Sequence, residues 1–262
     1  MTSNGICLDI IGDTAEVVLD RAPVNAVSTG MYEELISAFR GLSRRQDVHA
    51  AVLRSANERM FSAGADIREA TSSPSCAETP DEYRQRLAKM CYDAILDCAI
   101  PTIAAVNGYA LGAGAVLAAC CDIRYAAVDA QIGLPEINAG RCGGGRHLMR
   151  LIPQGKTRLM YFTGEPVDAA EALRVGLVER VCEPDSLLPE VRALAAKIAG
   201  KSPLGLRLAK RALNDSESMP VREGYAREQT YTLRLAQSAD AAEAASAVLE
   251  KRAPRWSWPP SA

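Results

Sequence analysis

Apolar positions along the chain follow two rhythms. Alternation in "GICLDIIG" (5–12) and "TAEVVLD" (14–20) predicts an antiparallel strand pair, whereas "TGMYEELISAFRGLSR" (29–44) repeats its apolar residues at helical spacing. The unbroken run "HAAVLRSA" (49–56) reads as a strand buried on both faces, and "TIAAVN" (102–107) as another. A helix over about 113–121, a strand in "DIRYAAVD" (122–129), a short strand at 131–133 and helices near 144–151 and 155–162 follow. The segment "DAAEALRVGLVERVCEP" predicts a helix, a turn at Gly176 and a strand. Helical periodicity then runs through 186–199, 203–214, 220–237 and 240–250, and the tail "APRWSWPPSA" is stopped by proline. Polar "TSSPSCAETPDE" (71–82) predicts a mobile loop. Strands alternating with helices make this an α/β chain.

From Ala99 to Cys121 no side chain is ionisable except two thiols and a tyrosine. The run is long enough to cross a bilayer, but Pro101, Asn107, Gly108, Gly112 and Gly114 would break such a helix repeatedly. A buried strand, a glycine-bearing turn and a helix account for it better, and no membrane span is expected.

A chain of 262 residues with 48% hydrophobic composition can bury a sizeable core. Its formal charge of -2 supplies no overall field for nucleic acid or anionic lipid, so neither is an expected partner. The start "MTSNGICLDIIGD" shows no basic leader before an apolar core, so no export signal is read there. Eight cysteines form neither a CxxC pair nor a metal-ligand spacing with His49 and His147. Reduced thiols in a cytoplasmic protein without a metal are expected.

Candidate chemistry gathers at two turns. "RMFSAGADIRE" (59–69) follows one buried strand, and "NGYALGAGAVLAACCDIRYA" follows another; both are read as opening onto helices. Small residues let a ligand approach the backbone, and first-turn helical amides are unpaired donors at the positive end of a dipole. Two such amides aimed at one point would form an oxyanion hole.

These two motifs, followed in order by "QIGLPEINAG" and "TGEPVDAAEALRVGLVERV", resemble the crotonase family, also called the enoyl-CoA hydratase/isomerase family. The likeness runs from about residue 5 to residue 215. It implies a crotonase-like α/β fold of repeated ββα units, with a core over 1–200 and a helical region over 201–262 that covers the site and assists trimer formation. A homotrimer or dimer of trimers is the implied assembly, and an acyl-CoA thioester the implied substrate. No separate cofactor is implied, since the substrate carries its own coenzyme A. Motif matching places the oxyanion-hole amides at Ala65 and Ala113, the latter where the family commonly has glycine. Glu136 in "GLPEI" matches the family's general acid or base, and desolvation beside an apolar acyl pocket would raise its proton affinity. Val24, Ala26, Ala63, Asp66 and Ile67 fall on the coenzyme A strip, flanked by Arg21, Arg59 and Arg68.

Two departures bear on the reaction. Two-glutamate hydratases of this family carry a second carboxylate three residues after the oxyanion-hole position, on the same helical face. Here that residue is Val116. Neither Asn138 nor Glu69 is a good substitute, so a single-carboxylate isomerase gains ground beside a hydratase. The family's proline-glycine loop is replaced by Gly143, Gly144 and Gly145 before Arg146 and His147, which leaves two uses open. The glycine backbone, Gly144 included, could line the acyl pocket, or His147 could take part in chemistry, although a lone helical histidine is more often structural. Decarboxylase or thioester-hydrolase chemistry, a non-catalytic acyl-CoA binder, and a serine hydrolase using Ser62 and His147 are the remaining readings.

Overall fold

The computed structural model describes residues 4–68 and 78–257. Strands β1 (Ile6–Ile11) and β2 (Thr14–Leu19) form an antiparallel hairpin, and helix α1 (Thr29–Arg44) follows. Then come β3 (Ala50–Ser55), β4 (Met60–Ser62), α2 (Pro80–Leu96), β5 (Thr102–Val106), β6 (Tyr109–Leu111) and α3 (Ala113–Cys120). Next are β7 (Ile123–Ala127), β8 (Gln131–Gly133), a 3-10 turn Pro135–Ala139, α4 (Gly145–Leu148), α5 (Gln154–Thr163), β9 (Val167–Asp168), α6 (Ala169–Val175) and β10 (Arg180–Cys182). Four helices end the described chain: α7 (Pro184–Ala199), α8 (Pro203–Ser216), α9 (Val221–Ala236) and α10 (Ala239–Leu249).

Among the described residues, ten strands divide between two sheets. A six-stranded sheet runs β1-β2-β3-β5-β7-β10, and a four-stranded sheet runs β4-β6-β8-β9. Each of β3, β5 and β7 sits in the large sheet, and the short strand that follows it crosses to the small one. That is the repeated ββα unit expected, α/β in class and parallel except at the first hairpin and at β9.

Strand pleating explains how the large sheet is buried on both sides. Ala50 and Val52 point to one face, against Leu187, Val191 and Ala195 of α7, while Ala51 and Leu53 point to the other, with Leu35 and Phe39 of α1. Each large apolar side chain so buried is worth roughly 1.5–3 kcal/mol. Helix α3 is buried all round, so its composition is apolar on every face rather than amphipathic. Among the described residues, no helix is long and apolar enough to cross a membrane.

Two expectations about elements need correction. The polar loop expected over 71–82 gives way to helix at Pro80, where Thr79 and Glu82 form a reciprocal capping box; residues 71–77 lie outside the described residues. Helix α2 was hidden because its inward stripe, Leu87, Ala88, Cys91, Ala94 and Ile95, also contains a buried arginine, Arg84. The helix expected over 144–151 shrinks to Gly145–Leu148: Gly144 caps its start at φ of 78°, and residues 149–151 form a turn instead of extending it.

Candidate active site

Strands β4, β6 and β8 are adjacent, parallel and short, and all three end at one edge of the small sheet. Ser62 lies in register with Ala110, and Leu111 with Gly133. Ala65, Ala113 and Glu136 each follow within three residues of a strand end, so the topology alone brings them to one place.

The two alanine amides lack an acceptor among the described residues for different reasons. Val27 N–H donates to Gly64 O at 2.8 Å, and Asp66 N–H donates to Val27 O at 3.0 Å. Successive amides of extended backbone point to opposite sides, so the Ala65 N–H points away from Val27, and among the described residues it has no acceptor. The helix expected after this turn is absent as far as Arg68, where residues 67–68 form a turn. Ala113, by contrast, is the first residue of α3, and its N–H precedes every intrahelical partner. Gly64 brings the two turns together: a Cβ there would lie 2.9 Å from Leu111 O and 3.5 Å from Ala113 N.

Glu136 completes this edge. A Cβ on Gly112 would meet Glu136 Oε1 at 2.7 Å, so the carboxyl rests directly on the backbone that presents the Ala113 amide. Its Oε2 is buried without a partner among the described residues. Burial raises its pKa above the ordinary glutamate value, partly offset by its own backbone N–H. No cation holds it down, so the group is suited to taking up and releasing a proton.

A cavity of about 730 Å³ opens over this edge. Its lining includes Val24, Ala26, Ala63, Ala65, Asp66, Ile67, Ala113, Val116, Glu136 and Gly144. Val116 is buried and packs on Gly144, where a Cβ would fall 2.5 Å from Val116 Cγ2. Arg21 and Arg68 also line the cavity, whereas Arg59 does not. Arg21 pairs with Asp66 at 2.8 Å. Burial pushes the Asp66 carboxyl up, but the Arg68 N–H and the Arg21 guanidinium together hold it below its usual range.

Ser62 and His147 are engaged elsewhere. Ser62, fully buried, donates from Oγ to Asn25 O at 2.7 Å and accepts from Gly64 N–H at 3.2 Å, fixing the turn rather than offering a nucleophile. The His147 ring packs edge-on against Tyr92 at 5.2 Å, its Nδ1 is buried without a partner, and burial lowers its pKa. Neither lines the cavity. Glu69 lies outside the described residues, and Asn138 packs under Gly164.

Sequence reasoning missed the far wall. Tyr32, Arg84, Gln85, Ala88, Tyr92, Arg141 and Cys142 also line the cavity. Tyr32 and Tyr92 meet hydroxyl to hydroxyl at 3.4 Å, and burial pushes the Tyr32 phenol up to about 12. Both occupy apolar helix stripes, where nothing in the sequence separates a core tyrosine from a cavity tyrosine. The described cysteines are unbridged, and no metal-binding cluster exists among the described residues.

The model of a family described as enoyl-CoA hydratase/isomerase matches residues 11–258. The (7aS)-7a-methyl-1,5-dioxo-2,3,5,6,7,7a-hexahydro-1H-indene-carboxyl-CoA hydrolase of Rhodococcus jostii is 37% identical over 219 residues, 84% of each chain. A probable mitochondrial enoyl-CoA hydratase of Dictyostelium discoideum is 36% identical over 249 residues, covering 94% of this chain and 88% of its own. The crystal structure of an enoyl-CoA hydratase from Mycobacterium smegmatis superposes with a TM-score of 0.90 at 31% identity, covering 96% of this chain and 98% of that one.

Proposed function

The chain belongs to the enoyl-CoA hydratase/isomerase family and is an enzyme of it, and from that premise we propose that it processes an acyl-CoA thioester through an enolate, with Glu136 as its single acid and base. The observation that carries this reading is the Glu136 carboxyl, half in apolar surroundings and resting on Gly112 beside the Ala113 amide. Removing an α-proton from a thioester, or adding water at its β-carbon, drives negative charge onto the thioester oxygen. The N–H groups of Ala65 and Ala113 would receive that charge without reorganising, a contribution of about 2.7–4 kcal/mol for each comparable donor. In a 3-enoyl ester the ionised Glu136 takes the α-proton, the dienolate forms with its charge in the hole, and the same carboxylic acid returns the proton at the γ-carbon. Val116, apolar and one turn beyond Ala113, keeps that path dry and favours isomerisation over hydration.

The relative named as a CoA hydrolase favours a second reading, hydrolysis, in which the same amides stabilise the oxyanion and Glu136 activates water. Val24, Ala26, Ala63, Asp66 and Ile67 would seat the coenzyme A moiety, and Gly144 the acyl chain. No further cofactor is required by this chemistry. A homotrimer or dimer of trimers in the cytoplasm is the proposed state; exposed apolar side chains on the last helices, Val221 and Tyr225 of α9 and Val248 and Leu249 of α10, are consistent with burial against another subunit. Mass spectrometry of products from 2-enoyl, 3-enoyl and malonyl-type CoA esters in deuterated water tests the reading, reporting hydration, double-bond migration and decarboxylation together. Turnover retained within threefold by Glu136→Gln would overturn it.

A further inference from the structure

Arg84 projects from the inward face of α2 with 6% of its surface exposed, and it lines the cavity. A guanidinium carries five N–H donors and stays charged at any ordinary pH. One of them is used: Nη2 donates to Asp81 Oδ1 at 2.7 Å. That same oxygen accepts from Arg141 Nη1 at 3.0 Å, and Arg141 lines the cavity as well. Two cations share one carboxylate, so this wall carries one net positive charge. Asp81 is itself 61% exposed, and solvent weakens its hold on either partner.

Nε and Nη1 of Arg84 have no partner among the described residues, yet they are not sealed from solvent. Buried arginines are ordinarily paired, and unused donors on a cavity wall call for an acceptor from outside the protein. The cation belongs to α2 and is joined through Asp81 to Arg141 on the loop after Glu136, so it enters the cavity from elements other than the strand ends that carry Ala65 and Ala113.

We propose that Arg84, with Arg141 beside it, recognises a carboxylate at the far end of the acyl group, so that the substrate is the CoA thioester of a dicarboxylic acid. The proposal rests on the acyl-CoA reading above. A methyl-ended chain would leave the guanidinium donors unsatisfied, and a carboxylate matches their planar fork with two parallel hydrogen bonds.

Binding of saturated thioesters, which have no double bond to hydrate or shift and whose integrity is checked by mass spectrometry after each titration, separates the two claims. Calorimetry with butanedioyl-, hexanedioyl- and octanedioyl-CoA, each against its matched monoacid thioester, should show at least one diacid bound tenfold or more tightly than its partner. Arg84→Gln, with folding checked by thermal melting, should bring that ratio towards one. Arg84→Lys, which keeps the charge but loses the fork, should reduce it at least threefold, and it serves if the glutamine variant does not fold. If no diacid is preferred, or if Arg84→Gln weakens both members of a pair equally, as a phosphate contact would, the proposal is overturned. If neither thioester nor free coenzyme A binds, the acyl-CoA reading fails and the proposal falls with it.

Discussion

Gly112→Ala tests the placement of Glu136 through the backbone, without touching its carboxyl. Gly112 has φ of 53° and ψ of -122°, outside the left-handed helical basin, where an L residue costs about 1–3 kcal/mol. The added methyl would also fall 2.7 Å from Glu136 Oε1, against an ordinary contact of 3.4 Å, so the carboxyl must retreat by about 0.7 Å. Misplacement of about 1 Å in a reacting group costs on the order of 100-fold, so kcat should fall roughly 30- to 100-fold. Gly12→Ala is the control. Gly12 turns the first hairpin at φ of 60° with nothing within 4 Å of a new methyl, so it carries the backbone strain alone. Both variants should lose about 2–4 °C in Tm per kcal/mol, but only Gly112→Ala should lose activity, followed by ultraviolet absorbance of the conjugated thioester. Equal kcat in the two variants would refute the idea that Gly112 sets the position of the acid.

Three further outcomes follow from the same edge. Ala113→Pro removes one amide donor at a first-turn position that tolerates proline, so the folded variant should lose roughly 100- to 1,000-fold in kcat; an unchanged kcat would take Ala113 out of the hole. Because burial raises the folded pKa of Glu136, its stabilising share is present below the unfolded value near 4.3 and is lost as pH climbs through the folded value; Glu136→Gln should therefore gain Tm relative to the parent as pH rises from about 4 to 7, and a gain confined to acid pH would contradict the burial argument. Val116→Glu should cost about 3 kcal/mol of stability and raise hydration of a 2-enoyl ester relative to isomerisation of the 3-enoyl ester; a parent that already hydrates rapidly, with no change of ratio in the variant, would remove the single-carboxylate argument.

The long strands and helices were legible because burial imposes a clear period on them. The small sheet was not: β4, β6 and β9 have two or three residues each, too few for alternation to show. Yet this sheet aligns the site, through three parallel strand ends. Ala65 lines the cavity, but strand alternation rather than the expected helix start aims its amide away from Val27. Arg84 escaped notice because an arginine among apolar helix positions reads as a break in the stripe. Only the packing of α2 against α1 and α3 reveals it as an inward charge.

The two walls of the cavity differ in how they are built. Ala65, Ala113 and Glu136 hang from paired strands whose register leaves them little freedom, and Gly64 and Gly112 bring their backbones closer than any side chain would permit. Arg84, Gln85, Ala88 and Tyr92 belong instead to α2, which packs on α1 and α3 and is joined to the Glu136 loop through Asp81 and Arg141. Arg141 in turn donates its backbone N–H to Glu136 O at 2.9 Å. The Arg84 guanidinium is thus tied through Asp81 and Arg141 to the segment bearing Glu136. If the cavity works as proposed, such an arrangement would let acyl selectivity change on α2 while enolate chemistry at the strand ends stayed as it is.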